Sequence, residues 1–243
     1  MLELEGVVKS YRGADEDVHA VDGVDLHIAA GEMVALHGPS GSGKTTLLLL
    51  IAALLAPDRG TVRYDGRDLG SLSETEVCEY LMRDIGFVYQ RFHLMPKVSA
   101  IENASRKLLL GGIGMKDAHA RAIPWLVRVG LEDRLEYPPE RLSTGECQRV
   151  AIARVLAAEP RLILADEPTG NLDSARSRQI VELLCSIAHE RDAAVLLVTH
   201  DLETAAIADR RCTLRDGKLT EDPPGMDAPI PSARRSHACT TRR

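Results

Sequence analysis

At 243 residues, with 44% hydrophobic and 27% charged side chains, the chain is long enough for one large domain, or a core domain with a smaller inserted lobe, and has an ordinary soluble composition. Its net charge of −6 is uneven, because Ser232 to Arg243 holds four arginines and no acids and leaves the body more acidic still. An acidic body with 3% aromatics offers neither clustered cations nor a base-stacking platform, which excludes a large nucleic-acid footprint.

The opening MLELEGVV lacks a basic segment followed by an apolar stretch, so no signal peptide is expected. Strands are predicted over LELEGVVKSY, over the alternating Val24–Ile28 and over Met33–His37. A glycine-rich loop follows, then an apolar helix from Thr45 to Ala56, stopped by Pro57 and Gly60. The longest apolar run, Leu47 to Ala56, has ten residues, where a membrane-spanning helix needs about 20. Short strands at Thr61–Tyr64 and Ile85–Tyr89 flank a polar helical stretch. Between residues 91 and 140 the pattern turns helical, interrupted by Gly111, Gly112 and Gly114; about 91–160 is the candidate inserted lobe. Helix Glu146–Glu159, strand Leu162–Ala165, helix Ser177–Glu190 and strand Ala194–Thr199 then alternate, as in a parallel, doubly wound α/β sheet. The domain is expected to span 1–221. Residues 222–243, with four prolines and little apolar content, read as a disordered basic tail. Cys78, Cys147, Cys185, Cys212 and Cys239 are odd in number, with no C-x-x-C pair, which fits a reducing compartment and supports neither a disulfide framework nor a zinc site. A cytoplasmic protein is expected, with any membrane work done through a partner.

Three motifs carry chemistry. Gly38-Pro39-Ser40-Gly41-Ser42-Gly43-Lys44-Thr45, followed by Thr46, satisfies G-x-x-x-x-G-K-[ST] between an apolar strand and a helix. Glycines let consecutive N–H groups face a polyphosphate, and the helix start adds its positive end. Lys44 is expected on the β- and γ-phosphates of ATP, and Thr45 on Mg²⁺. Leu162-Ile-Leu-Ala-Asp166-Glu167 is an apolar strand ending in two acids. Asp166 is placed to hold the metal's hydration shell, and Glu167 to orient and deprotonate the attacking water. Leu142-Ser143-Thr144-Gly145-Glu146 opens the helix Cys147-Gln-Arg-Val-Ala-Ile-Ala-Arg154 and forms a second possible phosphate nest. Ser143 with Glu146 also reads as a capping box, which accounts for the helix start but not for the rest of the motif.

The third motif resembles the signature loop of the ATP-binding cassette (ABC) family, LSGGQ or LSGGEQQR followed by VAIAR, and the resemblance runs to about Lys218. It implies a P-loop NTPase core with an N-terminal antiparallel β subdomain and an inserted α-helical lobe. It further implies that Tyr11 stacks on adenine, that Gln90 joins metal and water, and that Asn171, Leu172 and Asp173 form the loop by which subunits sense each other. His200 would be the switch histidine beside the γ-phosphate, and Ser143 to Glu146 would face ATP held by the opposite subunit. Thr144 stands in place of the first signature glycine, and Cys147 where glutamine is common. Ile85-Gly-Phe-Val-Tyr-Gln-Arg-Phe-His-Leu-Met-Pro, Ile101-Glu-Asn and Glu167-Pro-Thr-Gly-Asn-Leu-Asp resemble the bacterial lipoprotein-release and macrolide-export subfamily. Phe92, Leu94 and Met95 would then receive a short helix of a membrane-spanning partner. The reading is an ATP hydrolase that dimerises head-to-tail on ATP and drives a separate permease from the inner face of the membrane. The alternative is a cassette that transmits force to an envelope process without transport. A ribosome- or DNA-directed cassette usually carries two cassettes in one chain or a long coiled-coil insert, and this chain shows neither. A P-loop kinase would need neither Ser143–Gly145 nor the histidine.

Overall fold

A computed structural model describes residues 1–12 and 17–223. β1 (Leu2–Tyr11) and β2 (Val18–Ile28) pair antiparallel, and the chain continues through β3 (Met33–His37) into α1 (Lys44–Ile51). β4 (Arg59–Tyr64) pairs with β1, and β5 (Arg67–Asp68) with β4, completing an antiparallel sheet of order β2-β1-β4-β5. After α2 (Glu74–Arg83) comes β6 (Ile85–Val88), then three helices that pack on one another, α3 (Ala100–Leu110), α4 (Met115–Arg128) and α5 (Thr144–Ala157). β7 (Leu162–Asp166), α6 (Ser174–Arg191), β8 (Ala194–Val198), the short α7 (Leu202–Ala205), β9 (Arg210–Arg215) and β10 (Lys218–Glu221) close the fold. The second sheet runs β10-β9-β3-β8-β7-β6, parallel except at its β10 edge.

Both faces of this parallel sheet are covered, which is why β7 and β8 read as unbroken apolar runs rather than alternating ones. Successive side chains point to opposite faces. Leu162, Leu164, Leu196 and Val198 join Leu47, Leu48 and Ile51 of α1 and the antiparallel sheet. Ile163, Ala165, Val195 and Leu197 face Val150 and Ile152 of α5 and Val181 and Leu184 of α6. Burying one such leucine contributes about 1.5–3 kcal/mol.

The parallel register sets the site. Val88 is level with Ala165, Asp166 with Val198, and Val198 with Leu36. The strands β6, β7, β8 and β3 therefore end together, and the segments that follow them emerge along one edge.

Five boundaries differ from the sequence reading. β2 begins at Val18 rather than Val24, because bulges at Gly6 and Gly23, both at positive φ, break the alternation without ending the pairing. α1 stops at Ile51, where the chain reverses through Ala53 at φ 55° and the Leu54 and Leu55 N–H groups both return to the Leu49 carbonyl. α5 and α6 each start earlier than Glu146 and Ser177, at Thr144 and Ser174, capped by Ser143 and Asp173. Asp222, assigned to the tail on composition, is instead half-buried and hydrogen-bonded to His37 and Thr213. The rest of that segment, 224–243, lies outside the described residues.

Candidate functional site

The loop between β3 and α1 is shaped by glycines that nothing larger could replace. A Cβ on Gly43 (φ 103°) would lie 1.8 Å from the Ala20 carbonyl oxygen, and one on Gly38 (φ 150°) would lie 2.0 Å from that of Leu214. Gly41 (φ 79°) faces open space. The loop is thus wedged between β2 and β9 with its outer side free. Ser42 is buried, while Pro39 and Ser40 are exposed. The Lys44 ammonium curls back onto the loop, donating to the carbonyls of Gly38 (2.9 Å) and Pro39 (2.7 Å) and to Ser42 Oγ (3.3 Å). Those carbonyls are the weaker alternative to an anion, so the lysine marks where negative charge is wanted.

Thr45, in the first turn of α1, donates from Oγ1 to Asp166 Oδ2 at 3.2 Å. Burial pushes the Asp166 carboxyl above its ordinary value; the Thr45 hydrogen bond and the Lys44 charge pull it down, and neighbouring Glu167 adds to the rise. A hydroxyl and a carboxylate together are hard oxygen donors of the kind Mg²⁺ takes alongside water and phosphate. Their fit to that ion therefore rests on donor chemistry and spacing.

Glu167 adopts φ 49°, uncommon for a residue with a side chain, and its N–H is held by the Val198 carbonyl at 3.0 Å. Its Oε2 lies 2.7 Å from Nδ1 of His200, which follows β8. These groups line a cleft of about 550 Å³ together with Tyr11, Thr46 and Gln90. Tyr11, at the end of β1, is 43% exposed and so has a ring face available.

The Ser143–Glu146 segment and the Asn171–Asp173 loop do not line that cleft. They sit together elsewhere: a Cβ on Gly145 would meet Leu172 Cδ2 at 3.0 Å and the Asn171 carbonyl at 3.4 Å. Ser143 and Glu146 form a full capping box, with Ser143 N–H and Oγ both donating to Glu146 Oε2 at 2.8 Å, while Oγ accepts the Glu146 N–H at 3.3 Å. These contacts hold the Glu146 carboxyl below its ordinary value. Asp173 is the cap of α6, its Oδ1 accepting the Arg176 N–H at 3.0 Å.

A second hollow, of about 820 Å³, is lined by Phe92, Leu94, Pro96, Thr144, Cys147 and Asn171, and shares Gln90 with the cleft. Arg154 of α5 pins its floor by donating to the Phe92 and His93 carbonyls, each at 2.9 Å. Met95, grouped with Phe92 and Leu94 on sequence, is 40% exposed and does not line it. Cys147 is buried with its thiol toward the Pro139 carbonyl, and burial raises its pKa.

Four contacts at the site had no sequence signal. The Ala20 and Leu214 carbonyls that wedge the loop act through backbone alone. His37, directly before Gly38, shares its Nε2 between Asp222 Oδ2 (2.7 Å) and Thr213 Oγ1 (3.0 Å), across 185 and 176 residues of chain.

The profile of the family described as ABC transporter matches residues 21–170. The lipoprotein-releasing system ATP-binding protein LolD of Chromohalobacter salexigens is 46% identical over 222 residues, 91% of this chain and 94% of LolD. The macrolide export ATP-binding/permease protein MacB of Salmonella paratyphi A is 41% identical over 93% of this chain, which spans only 35% of MacB. Among solved structures, the dimeric, post-hydrolysis ATP-binding cassette MJ0796 bound to ADP and Pi superposes with a TM-score of 0.86 at 38% identity, over 91% of this chain and 98% of that one.

Proposed function

The chain belongs to the ABC transporter family, and from that premise we propose that it is the ATP-hydrolysing subunit of a membrane transporter, closing head-to-tail on ATP with a second copy of itself. The observation that carries this reading is a division of labour. Lys44, Thr45, Asp166, Glu167 and His200 converge on one cleft, while Ser143 to Glu146 lie outside it. A phosphate nest apart from its own P-loop is useful to ATP held by another subunit, and the similar cassette MJ0796 is a dimer bound to ADP and Pi.

In this reading ATP lies across Gly38–Thr46 with adenine against Tyr11, and Lys44 exchanges the Gly38 and Pro39 carbonyls for phosphate oxygens. Thr45, Asp166 and Gln90 would hold Mg²⁺, which would supply charge neutralisation at the phosphates. Glu167 accepts the proton of the attacking water, and His200 fixes the carboxylate's orientation. Ser143 Oγ leaves Glu146 to meet the other subunit's nucleotide, joined by the Gly145 N–H and the start of α5. Asn171 to Asp173 make the subunit contact. The permease binds at the hollow beside Phe92 and Leu94, which places the protein on the inner face of the membrane. Leu172 lies close enough to Gly145 that nest and subunit loop would move together, which favours coupled closure.

Light scattering behind size exclusion tests the proposal with Glu167→Gln, in which hydrolysis is blocked. A dimer is expected in Mg-ATP and a monomer in ADP, and Ser143→Arg added to it is expected to abolish the dimer. A dimer that persists equally in ADP and ignores Ser143→Arg would overturn the nucleotide-bridged arrangement.

A further inference from the structure

The end of the parallel sheet away from the cleft gathers three donors of different chemistry. Cys185 and His189 stand four residues apart on α6, so both project from one helical face. Asp209, just before β9, meets them there: the Cys185 sulfur, one His189 nitrogen and one Asp209 oxygen all lie within 4.8 Å of one another. His189 Nε2 sits 3.0 and 3.1 Å from the two Asp209 oxygens.

The carboxylate is held in advance. Asp209 N–H donates to the Met33 carbonyl at 2.9 Å, and Met33 N–H donates back to Asp209 Oδ2 at 2.8 Å. Such outer hydrogen bonds orient a metal ligand and raise its affinity. The thiol of Cys185 is half-buried and directed to the Ile207 carbonyl at 3.7 Å.

Tetrahedral zinc, with Zn–S of about 2.3 Å and Zn–N and Zn–O of about 2.0–2.2 Å, separates its ligand atoms by roughly 3.3–3.6 Å. The spacings here bracket that range. The His189–Asp209 pair would open by a few tenths of an ångström, and the sulfur would close by about 1 Å at most. A thiolate, an imidazole and a carboxylate together suit zinc and disfavour magnesium or calcium. We propose that Cys185, His189 and Asp209 bind a zinc ion that ties α6 to β9, with water or the Ile207 carbonyl completing four-coordination. Binding releases the Cys185 thiol proton to solvent, together with any proton His189 carries on Nε2. Without a second cysteine nearby, the site carries no paired-cysteine signal in the sequence. The i, i+4 pair of Cys185 and His189 was visible, but its carboxylate partner is twenty residues away in sequence.

The test uses the full chain carrying Cys78→Ser and Cys239→Ser, stripped with a chelator and titrated with Co²⁺. One equivalent is expected to bind with a thiolate-to-cobalt charge-transfer band and the visible bands of a tetrahedral ion, both lost when zinc is added. In competition with a chromogenic chelator, Cys185→Ser and His189→Ala are each expected to weaken zinc binding at least tenfold. Zinc is expected to raise the Tm of the parent and not of these variants. His189 is half-exposed, so His189→Ala decides the matter if Cys185→Ser fails to fold. No thiolate band in the parent, or zinc affinity within twofold of the parent in a folded His189→Ala, overturns the site and leaves an ordinary His–Asp ion pair.

Discussion

The Glu167 carboxylate and the His200 imidazole meet at 2.7 Å, Oε2 to Nδ1, with the glutamate side chain 15% exposed and the histidine 74% exposed. The enclosed group is therefore steered by one that solvent, or a ligand, can reach. Glu167→Gln keeps a hydrogen-bonding oxygen but cannot take a proton, so turnover is expected to fall about 10²–10⁴-fold with nucleotide affinity retained. His200→Ala leaves the Glu167 carboxylate in place but unsteered, and a smaller fall, roughly tenfold, is expected. Phosphate release and binding of a fluorescent ATP analogue measure both.

Lys44 makes three contacts with its own loop and, among the described residues, no ion pair with an acid. Lys44→Ala removes the only side-chain cation of the loop, and ATP affinity is expected to drop at least about 100-fold. Calorimetric titration with ATP checks this. Affinity near that of the parent would show that the phosphates lie elsewhere.

Two loop glycines separate conformational from steric need. Gly41→Ala meets open space and bears mainly the strain of φ 79°, about 1 kcal/mol. Gly43→Ala drives a methyl to 1.8 Å from the Ala20 carbonyl, backbone that cannot swing aside. The first is expected to fold and bind nucleotide with modest loss. The second is expected to displace the loop from β2 and lose binding altogether. Thermal melts with and without ATP distinguish them.

Asp222 tests the C-terminal boundary. Burial alone would raise its carboxyl, but hydrogen bonds from His37 and Thr213 outweigh that and leave it below the ordinary range. A lowered folded pKa means that the unfolded chain binds more protons at low pH. The contact thus stabilises above the unfolded value of about 3.9 and is lost as pH falls through the folded one. Asp222→Ala is expected to cost about 1–2 kcal/mol near neutrality, with the gap in Tm from the parent narrowing below about pH 4. A gap that does not change with pH would show that packing alone holds this residue.

The sequence made legible what runs contiguously. Three apolar stretches, each followed by Gly38, Asp166 or His200, suffice to align a parallel sheet and the cleft residues along one edge, because a buried parallel strand must be apolar throughout. What escaped was carried by backbone or by distance. β2 was cut short since Gly6 and Gly23 bulge without unpairing. Ala20 bears on the loop through its carbonyl, which no side chain advertises. His37 and Asp222 are 185 residues apart, and composition alone consigned the aspartate to a tail.

Gln90 is a wall of two cavities at once, the cleft and the hollow beside Phe92 and Leu94. Whatever fills one therefore meets a side chain that what fills the other must also accommodate. If a ligand in the hollow changes ATP affinity by some factor, ATP must change that ligand's affinity by the same factor, since the free energy of the doubly filled state does not depend on the order of filling. Any such traffic is two-way by necessity: a ligand of the hollow that acts on the nucleotide site is acted on by nucleotide to the same extent. Replacing Gln90 with alanine should bring both factors toward unity together.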